Sequence, residues 1–272
     1  MSAPSSPIPS RGVLVTGSSR GVGAATARAF AERGDRVVVH CHRNETAARA
    51  VCEALPGEGH TVLATDLADP DAVARLAADA IAHLGRVDVL VNNAALATPP
   101  DEGRGRRGDH PLEDTDYTDW VAIWQQTLAT NLIGPAALTH QVARHMIDTP
   151  PADGVPVGRI VNIGSRGAVR GEPDIPAYGA SKAGLHAFGQ SMAVRLGRHG
   201  IAVTTLAPGF IETDMTADLL ASEAGEGLRA QSPFGRVARP EEVAAAVVAL
   251  ADPGAEWASG AVVDFNGASH LR

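Results

Sequence analysis

Aromatic residues are scarce in this sequence. Phe, Trp and Tyr together make up 4% of its 272 residues. A core assembled from large rings is therefore excluded, and small side chains with close backbone approach must fill the interior. Basic charge is in deficit, with a formal net charge of −8. That speaks against nucleic acid as a partner, because phosphate contacts need a basic surface. Only two cysteines occur, Cys41 and Cys52. They complete neither a disulfide framework nor a metal-ligand set, so buried structural thiols and no metal are expected. No apolar run approaches the length of a membrane span, which gives no membrane partner. The opening MSAPSSPIPS lacks the apolar stretch of a secretory signal. A reducing, cytoplasmic setting is the expectation.

What is present suits a soluble protein with a sizeable core: 44% hydrophobic and 20% charged residues. Short apolar runs cover 12–17, 36–41, 60–66, 87–94, 158–165, 201–209 and 260–267. Between the early ones lie stretches of helical spacing, which predict helices over 24–33, 45–55 and 70–84. Each run is apolar nearly throughout, as strands are when both faces of a parallel sheet are covered. The alternation predicts an α/β fold: one Rossmann-type domain over 11–272, a doubly wound parallel sheet of roughly seven strands. A flexible segment, 1–10, precedes it. The Gly- and Pro-rich stretches 98–116 and 149–158 are expected as loops.

Two local patterns carry chemistry. In PAYGASKAG (176–184), Tyr178 and Lys182 are four residues apart and share a helix face. A free phenol, with a pKa of about 10, exchanges protons poorly at neutral pH. A neighbouring ammonium favours the phenolate and could tune it as an acid/base group. In TGSSRGVG (16–23), Gly17, Gly21 and Gly23 permit a tight turn whose amides approach a pyrophosphate at a helix N-terminus. Taken singly, each pattern also fits a blander origin: a solvated surface pair, or a plain strand–helix turn.

Together these patterns resemble the classical short-chain dehydrogenase/reductase family, over 12–267. NNAA (92–95) matches the family's Asn-Asn-Ala-Gly segment, with Ala95 where glycine is usual. Asn131 stands at the catalytic asparagine position, and Ser165, thirteen residues before Tyr178, at that of the catalytic serine. APGFIETDM (207–215) looks like the segment covering the nicotinamide. The resemblance implies an oxidoreductase that reduces a ketone or 3-oxoacyl carbonyl to a secondary alcohol, or runs the reverse. Tyr178 would be the acid/base and Ser165 a donor to the substrate oxygen. Lys182 would hold the nicotinamide ribose, and Asn131 a water leading to solvent.

It also implies a dinucleotide site. Gly17, Ser19, Arg20, Gly21, Val22 and Gly23 would meet the phosphates, His42 and Arg43 the adenosine ribose end, and Asp66 with Leu67 the adenine. Asn93, Ala94, Pro208, Gly209, Ile211 and Thr213, with Tyr178 and Lys182, would line the rest. An NAD site usually has a carboxylate ending the second strand; here Cys41 is followed by His42 and Arg43. Arg20 and Arg43, free of a competing carboxylate there, point to NADP(H) over NAD(H), since guanidinium suits phosphate. Asp66 also reads as an ordinary turn residue.

Within the family, 207–215 looks most like 3-oxoacyl-carrier-protein reductases and related carbonyl reductases. VVVHCHRN and the long 98–116 loop suggest pteridine reductases as an alternative. Phe265-Asn266-Gly267 replaces the usual Asp-Gly-Gly, as suits a specialised branch. A nicotinamide-sensing regulator without turnover is the alternative from another class. The resemblance further implies a homotetramer or homodimer, packed through the helices of Asn131 and Tyr178 over Gly179, Ala183 and Ala187. Substrate would be shaped by 98–116, by 167–176 and by the segment after Met215. That segment, with Gly225 and Gly227, is either a mobile lid or a surface helix pair. Arg104, Arg106 and Arg107 read as a solvated loop or a site for an acidic partner, and Trp120 and Trp124 as packing or subunit contacts.

Overall fold

The computed structural model describes residues 10–97, 109–151, 157–213 and 216–272. The basic run Arg104, Arg106 and Arg107, Met215, most of the N-terminal segment and parts of both predicted loops lie outside them.

Seven strands form one parallel sheet in the order β3-β2-β1-β4-β5-β6-β7. They are β1 (Gly12–Val15), β2 (Arg36–Cys41), β3 (Thr61–Ala64), β4 (Val89–Asn92), β5 (Gly158–Ile163), β6 (Ile201–Pro208) and β7 (Val262–Phe265). The helices are α1 (Gly21–Ala31), α2 (Glu45–Glu53), α3 (Pro70–Leu84), α4 (Tyr117–Leu128), α5 (Gly134–Asp148), α6 (Gly167–Arg170), α7 (Pro176–Leu196), α8 (Ala217–Ala221), α9 (Ala224–Ala230) and α10 (Pro240–Leu250). A single π-helical turn, Ala129–Ile133, joins α4 to α5.

All seven predicted strands are present, β2 with the predicted bounds and the other six trimmed because the predicted runs included turn residues. The sheet buries both faces, which is why its strands lack polar alternation. Val13 and Val15 of β1 pack with Phe30 of α1 and Val247 of α10. Leu14, between them, faces the opposite side with Leu76 of α3 and Leu138 of α5. Phe30 is the one aromatic among the largest fully buried side chains. α3 starts where Asp69 accepts from the backbone N–H groups of Asp71 and Ala72, with proline in the first turn.

The register fixes where a ligand can go. Val13 pairs with Val37 of β2 on one side and Val89 of β4 on the other. Chain order reverses at β1, and the connections there part outside the carboxyl ends of the strands, where open α/β sheets bind ligands. At the other end, Asp35 is buried and paired with Arg11 at 2.7 Å. It closes the sheet far from that crevice.

After residue 216 the chain forms α8 and α9, so the segment is a pair of short helices. Gly225 is buried, and a Cβ there would collide with the Leu220 carbonyl. Gly225 therefore serves close packing between α8 and α9. No helix among the described residues is long and apolar enough to cross a membrane.

Candidate active site

A cleft of about 660 Å³ opens at the carboxyl ends of the strands, large enough for a cofactor and a small substrate. Its floor at one end is the turn from β1 to α1. Gly17 and Gly21 have φ of +64° and +53°, backbone conformations that side-chain-bearing residues rarely adopt. A Cβ on Gly23 would collide with the Gly17 carbonyl oxygen and with Asn93 Nδ2. Asn93 braces the turn by donating through Nδ2 to the carbonyls of Thr16 (2.8 Å) and Gly17 (3.1 Å). The glycine turn, including Ser19, Arg20 and Val22, lines the cleft beside Asn93 and Ala94.

His40, unmarked in the sequence reading, supports this end from beneath. Gly17 N–H donates to its Nδ1 at 3.0 Å, so Nε2 carries the proton and donates to the Thr65 carbonyl at 3.1 Å. Burial lowers its pKa to about 4, keeping the ring neutral. Only a neutral imidazole can accept the Gly17 amide. The signal available in the sequence was a histidine within an apolar strand.

His42, Arg43, Asp66 and Leu67 line the far wall, with His42 Nε2 3.6 Å from Asp66 Oδ2. Arg20 and Arg43 are exposed. Neither guanidinium has a hydrogen-bond or ion-pair partner among the described residues. Free amides at a helix N-terminus and two unpaired guanidinium groups form a cradle for phosphate. The residues present thus fit a phosphorylated dinucleotide.

At the other end stand Ser165, Tyr178 and Lys182, all lining the cleft. Ser165 follows β5, and the other two lie one turn apart on α7. Ser165 Oγ accepts from Gly167 N–H at 3.0 Å. Burial pushes the Tyr178 phenol up, opposed by a hydrogen bond from Ser165, while Glu172 adds to the rise. The Lys182 ammonium does not set this balance. Its Nζ donates to the Ile163 carbonyl at 2.7 Å and lies 5.8 Å from the Tyr178 ring centroid. Burial lowers Lys182 to about 8. Pro208, Gly209, Ile211 and Thr213 complete the rim.

Asn131 is placed differently. It is fully buried in the π-helical turn and does not line the cleft. Its Oδ1 accepts from Leu96 N–H at 2.8 Å, and its Nδ2 donates to Leu96 O at 2.8 Å and Ser181 Oγ at 3.1 Å. Ser181 Oγ donates in turn to the Tyr178 carbonyl at 2.7 Å. The amide is thus spent on protein atoms and ties the cleft wall to the helix of Tyr178.

His186 was also missed. It lies beneath Ser165, whose N–H approaches its Nε2 at 3.4 Å, and burial lowers it to about 4. Trp120 packs edge-on against His110 and tilts against Trp124, a packing role. The cysteines are free thiols, Cys41 buried and Cys52 partly so. Of the small residues assigned to a subunit contact, Ala183 and Ala187 are exposed but Gly179 is buried against Gly167 and Glu172. Gly179 is therefore withdrawn from that surface.

The family described as enoyl-(acyl carrier protein) reductase matches residues 17–270. The cis-4-hydroxycyclohexanecarboxylate dehydrogenase of Sinomonas cyclohexanicum is 37% identical over 94% of this chain and 95% of its own. A 3-oxoacyl-[acyl-carrier-protein] reductase of Synechocystis sp. is 36% identical over 93% and 94%. Among solved structures, a short chain dehydrogenase from Burkholderia cenocepacia in complex with NADP superposes with a TM-score of 0.80 at 28% identity, covering 95% of this chain and 97% of that one.

Proposed function

The chain belongs to the short-chain dehydrogenase/reductase family of NAD(P)-dependent oxidoreductases that interconvert carbonyls and alcohols, and from that premise we propose an NADP(H)-dependent reductase of a ketone-type carbonyl. The observation that carries the reading is the convergence of Ser165, Tyr178 and Lys182 on one cleft with the glycine turn. When bound, the dinucleotide supplies the hydride. Ser165 Oγ donates a hydrogen bond to the carbonyl oxygen and holds the carbon in place. Tyr178, kept protonated by burial, delivers its proton to that oxygen as the alcohol forms. Lys182 fixes the end of β5 through Ile163 O and presents a charge beside the phenol. Asn131 acts through Ser181 to hold the α7 backbone in register. It is a positioning residue.

Preference for NADP(H) is favoured by the guanidinium groups of Arg20 and Arg43, both without a partner among the described residues. Asp35, the acid nearest β2, is committed to Arg11. The named relatives are a cis-4-hydroxycyclohexanecarboxylate dehydrogenase and a 3-oxoacyl-[acyl-carrier-protein] reductase, which makes ring ketones and 3-oxoacyl compounds the first substrates to try. A homo-oligomer packed through the exposed faces of α5 and α7 remains part of the reading, to be weighed by light scattering. Two free thiols suit a reducing, cytoplasmic compartment.

The test is a cofactor-oxidation screen over ring ketones, 3-oxoacyl and enoyl thioesters, quinones and pterins, with NADPH and NADH in parallel. Turnover of a ketone with NADPH is expected, and Arg43→Ala should raise the KM for NADPH but not NADH. Preference of the wild type for NADH would sink the cofactor assignment. Turnover of pterins or enoyl thioesters alone would sink the carbonyl one.

A further inference from the structure

Besides Lys182, the substrate end of the cleft presents two charged side chains, Arg166 and Glu172, and their circumstances differ. Arg166 is 3% exposed and already used by the protein. Its Nη1 donates to Ser269 Oγ at 2.5 Å and its Nη2 to Gln231 Oε1 at 2.6 Å. Its guanidinium also stacks 4.7 Å from the Phe210 ring centroid. Such a group braces the wall, with two of its five N–H donors already held by protein atoms.

Glu172 is the reverse case. It lies in the link between Ser165 and Tyr178, half-buried, and its carboxyl has no hydrogen-bond or ion-pair partner among the described residues. The carboxyl is nonetheless seated in one place. Its Oε1 occupies the space left by the missing side chain of Gly167, 2.6 Å from where a Cβ would stand. Burial pushes the group up, against the pull of Arg170 and Arg166. Its charge reaches the Tyr178 phenol. A carboxylate partly withdrawn from water without a partner is costly. An ionised carboxylate only accepts hydrogen bonds, so what completes this site must donate.

We propose that Glu172 is a substrate-binding residue, and that the carbonyl compound reduced here carries a second group with an O–H or N–H donor, a hydroxyl or an ammonium, directed at the Glu172 carboxylate. This rests on the carbonyl-reductase reading and adds the substrate class to it. A carboxylate directed at Glu172 would meet like charge. A plain apolar ketone would leave the acceptor unfilled.

The test uses the purified full chain with NADPH and four cyclohexanones bearing a 4-hydroxyl, 4-ammonium, 4-methyl or 4-carboxylate group. The wild type is expected to prefer the hydroxyl or the ammonium compound over the methyl one by at least about tenfold in kcat/KM, most of it in KM. In Glu172→Leu that ratio should collapse toward one. In Glu172→Gln the ammonium preference should be lost and part of the hydroxyl preference kept, since the amide still accepts. The contrast between those two arms identifies the donor. Thermal melts of both variants with NADPH check that the fold is intact. A wild-type preference for the carboxylate compound, or an unchanged ratio in Glu172→Leu, overturns the assignment while leaving the reductase reading standing. No NADPH oxidation by the wild type with any carbonyl overturns both.

Discussion

Tyr178 is pulled in two directions: burial raises its pKa and the Ser165 hydroxyl lowers it, with burial the larger effect. The phenol is therefore a proton donor at neutral pH. Tyr178→Phe should keep its NADPH affinity and lose turnover by about 10²–10⁴-fold, the range for a positioned general acid. A fluorescence titration beside steady-state rates checks both halves, and comparable turnover would remove Tyr178 from the chemistry. The lysine adds a pH signature. Since Lys182 titrates at about 8 and Tyr178 holds its proton longer, reductive kcat/KM should stay level near neutrality and fall above about pH 8. At the dinucleotide end, Gly23→Ala places a methyl group against the Gly17 carbonyl and Asn93. Backbone there cannot yield cheaply, so a loss of about 1–3 kcal/mol in urea unfolding is expected, together with weakened NADPH binding.

Among the elements, the π-helical turn Ala129–Ile133 departs from what the sequence announced. TNLIGP contains no proline or glycine before Gly134 and would pass for regular helix. The extra residue in the turn puts Asn131 inside, facing Leu96 and Ser181. Asn131→Ala strips partners from both backbone groups of Leu96, and a stability loss of about 1–3 kcal/mol is expected for buried polar groups so orphaned. A shift in the urea midpoint at constant slope reads it directly. The sheet itself was legible because β strands covered on both faces leave uninterrupted apolar runs, such as VVV in β2. The glycine turn and the Tyr178–Lys182 spacing were legible because local geometry demands those residue types. His40 and His186 were not, since their partners, Gly17 and Ser165, are 23 and 21 residues away. Spacing that long leaves no pattern to read. Gly179 failed for a related reason: which flank of α7 meets Gly167 depends on tertiary packing.

Over the whole molecule, two buried histidines set the response to acid. His40 and His186 are both lowered from 6.5 to about 4, chiefly by burial. Above about pH 6.5 both are neutral, folded or unfolded, and stability is full. Between 6.5 and 4 the unfolded chain takes up protons that the folded chain refuses, so stability falls as pH falls. Each unit of pKa difference corresponds to about 1.4 kcal/mol, which gives a loss on the order of 3 kcal/mol per histidine by pH 4. Urea midpoints from pH 7.5 to 4.5 should show this slope, and His186→Leu should show a shallower one. Equal slopes would assign the acid loss to other groups. Lys182, meanwhile, is the only lysine in the chain; every other fixed cationic side chain is arginine, which does not acylate under mild conditions. With a pKa of about 8 and 2% exposure, its amine is nucleophilic but screened by the cleft. An amine-directed acylating reagent thus has one side-chain target besides the α-amine, and peptide-level mass spectrometry should show acylation of Lys182 appear slowly and disappear with NADPH bound. Lys182 is therefore a covalent reporter of cleft occupancy, the one side-chain amine the protein carries.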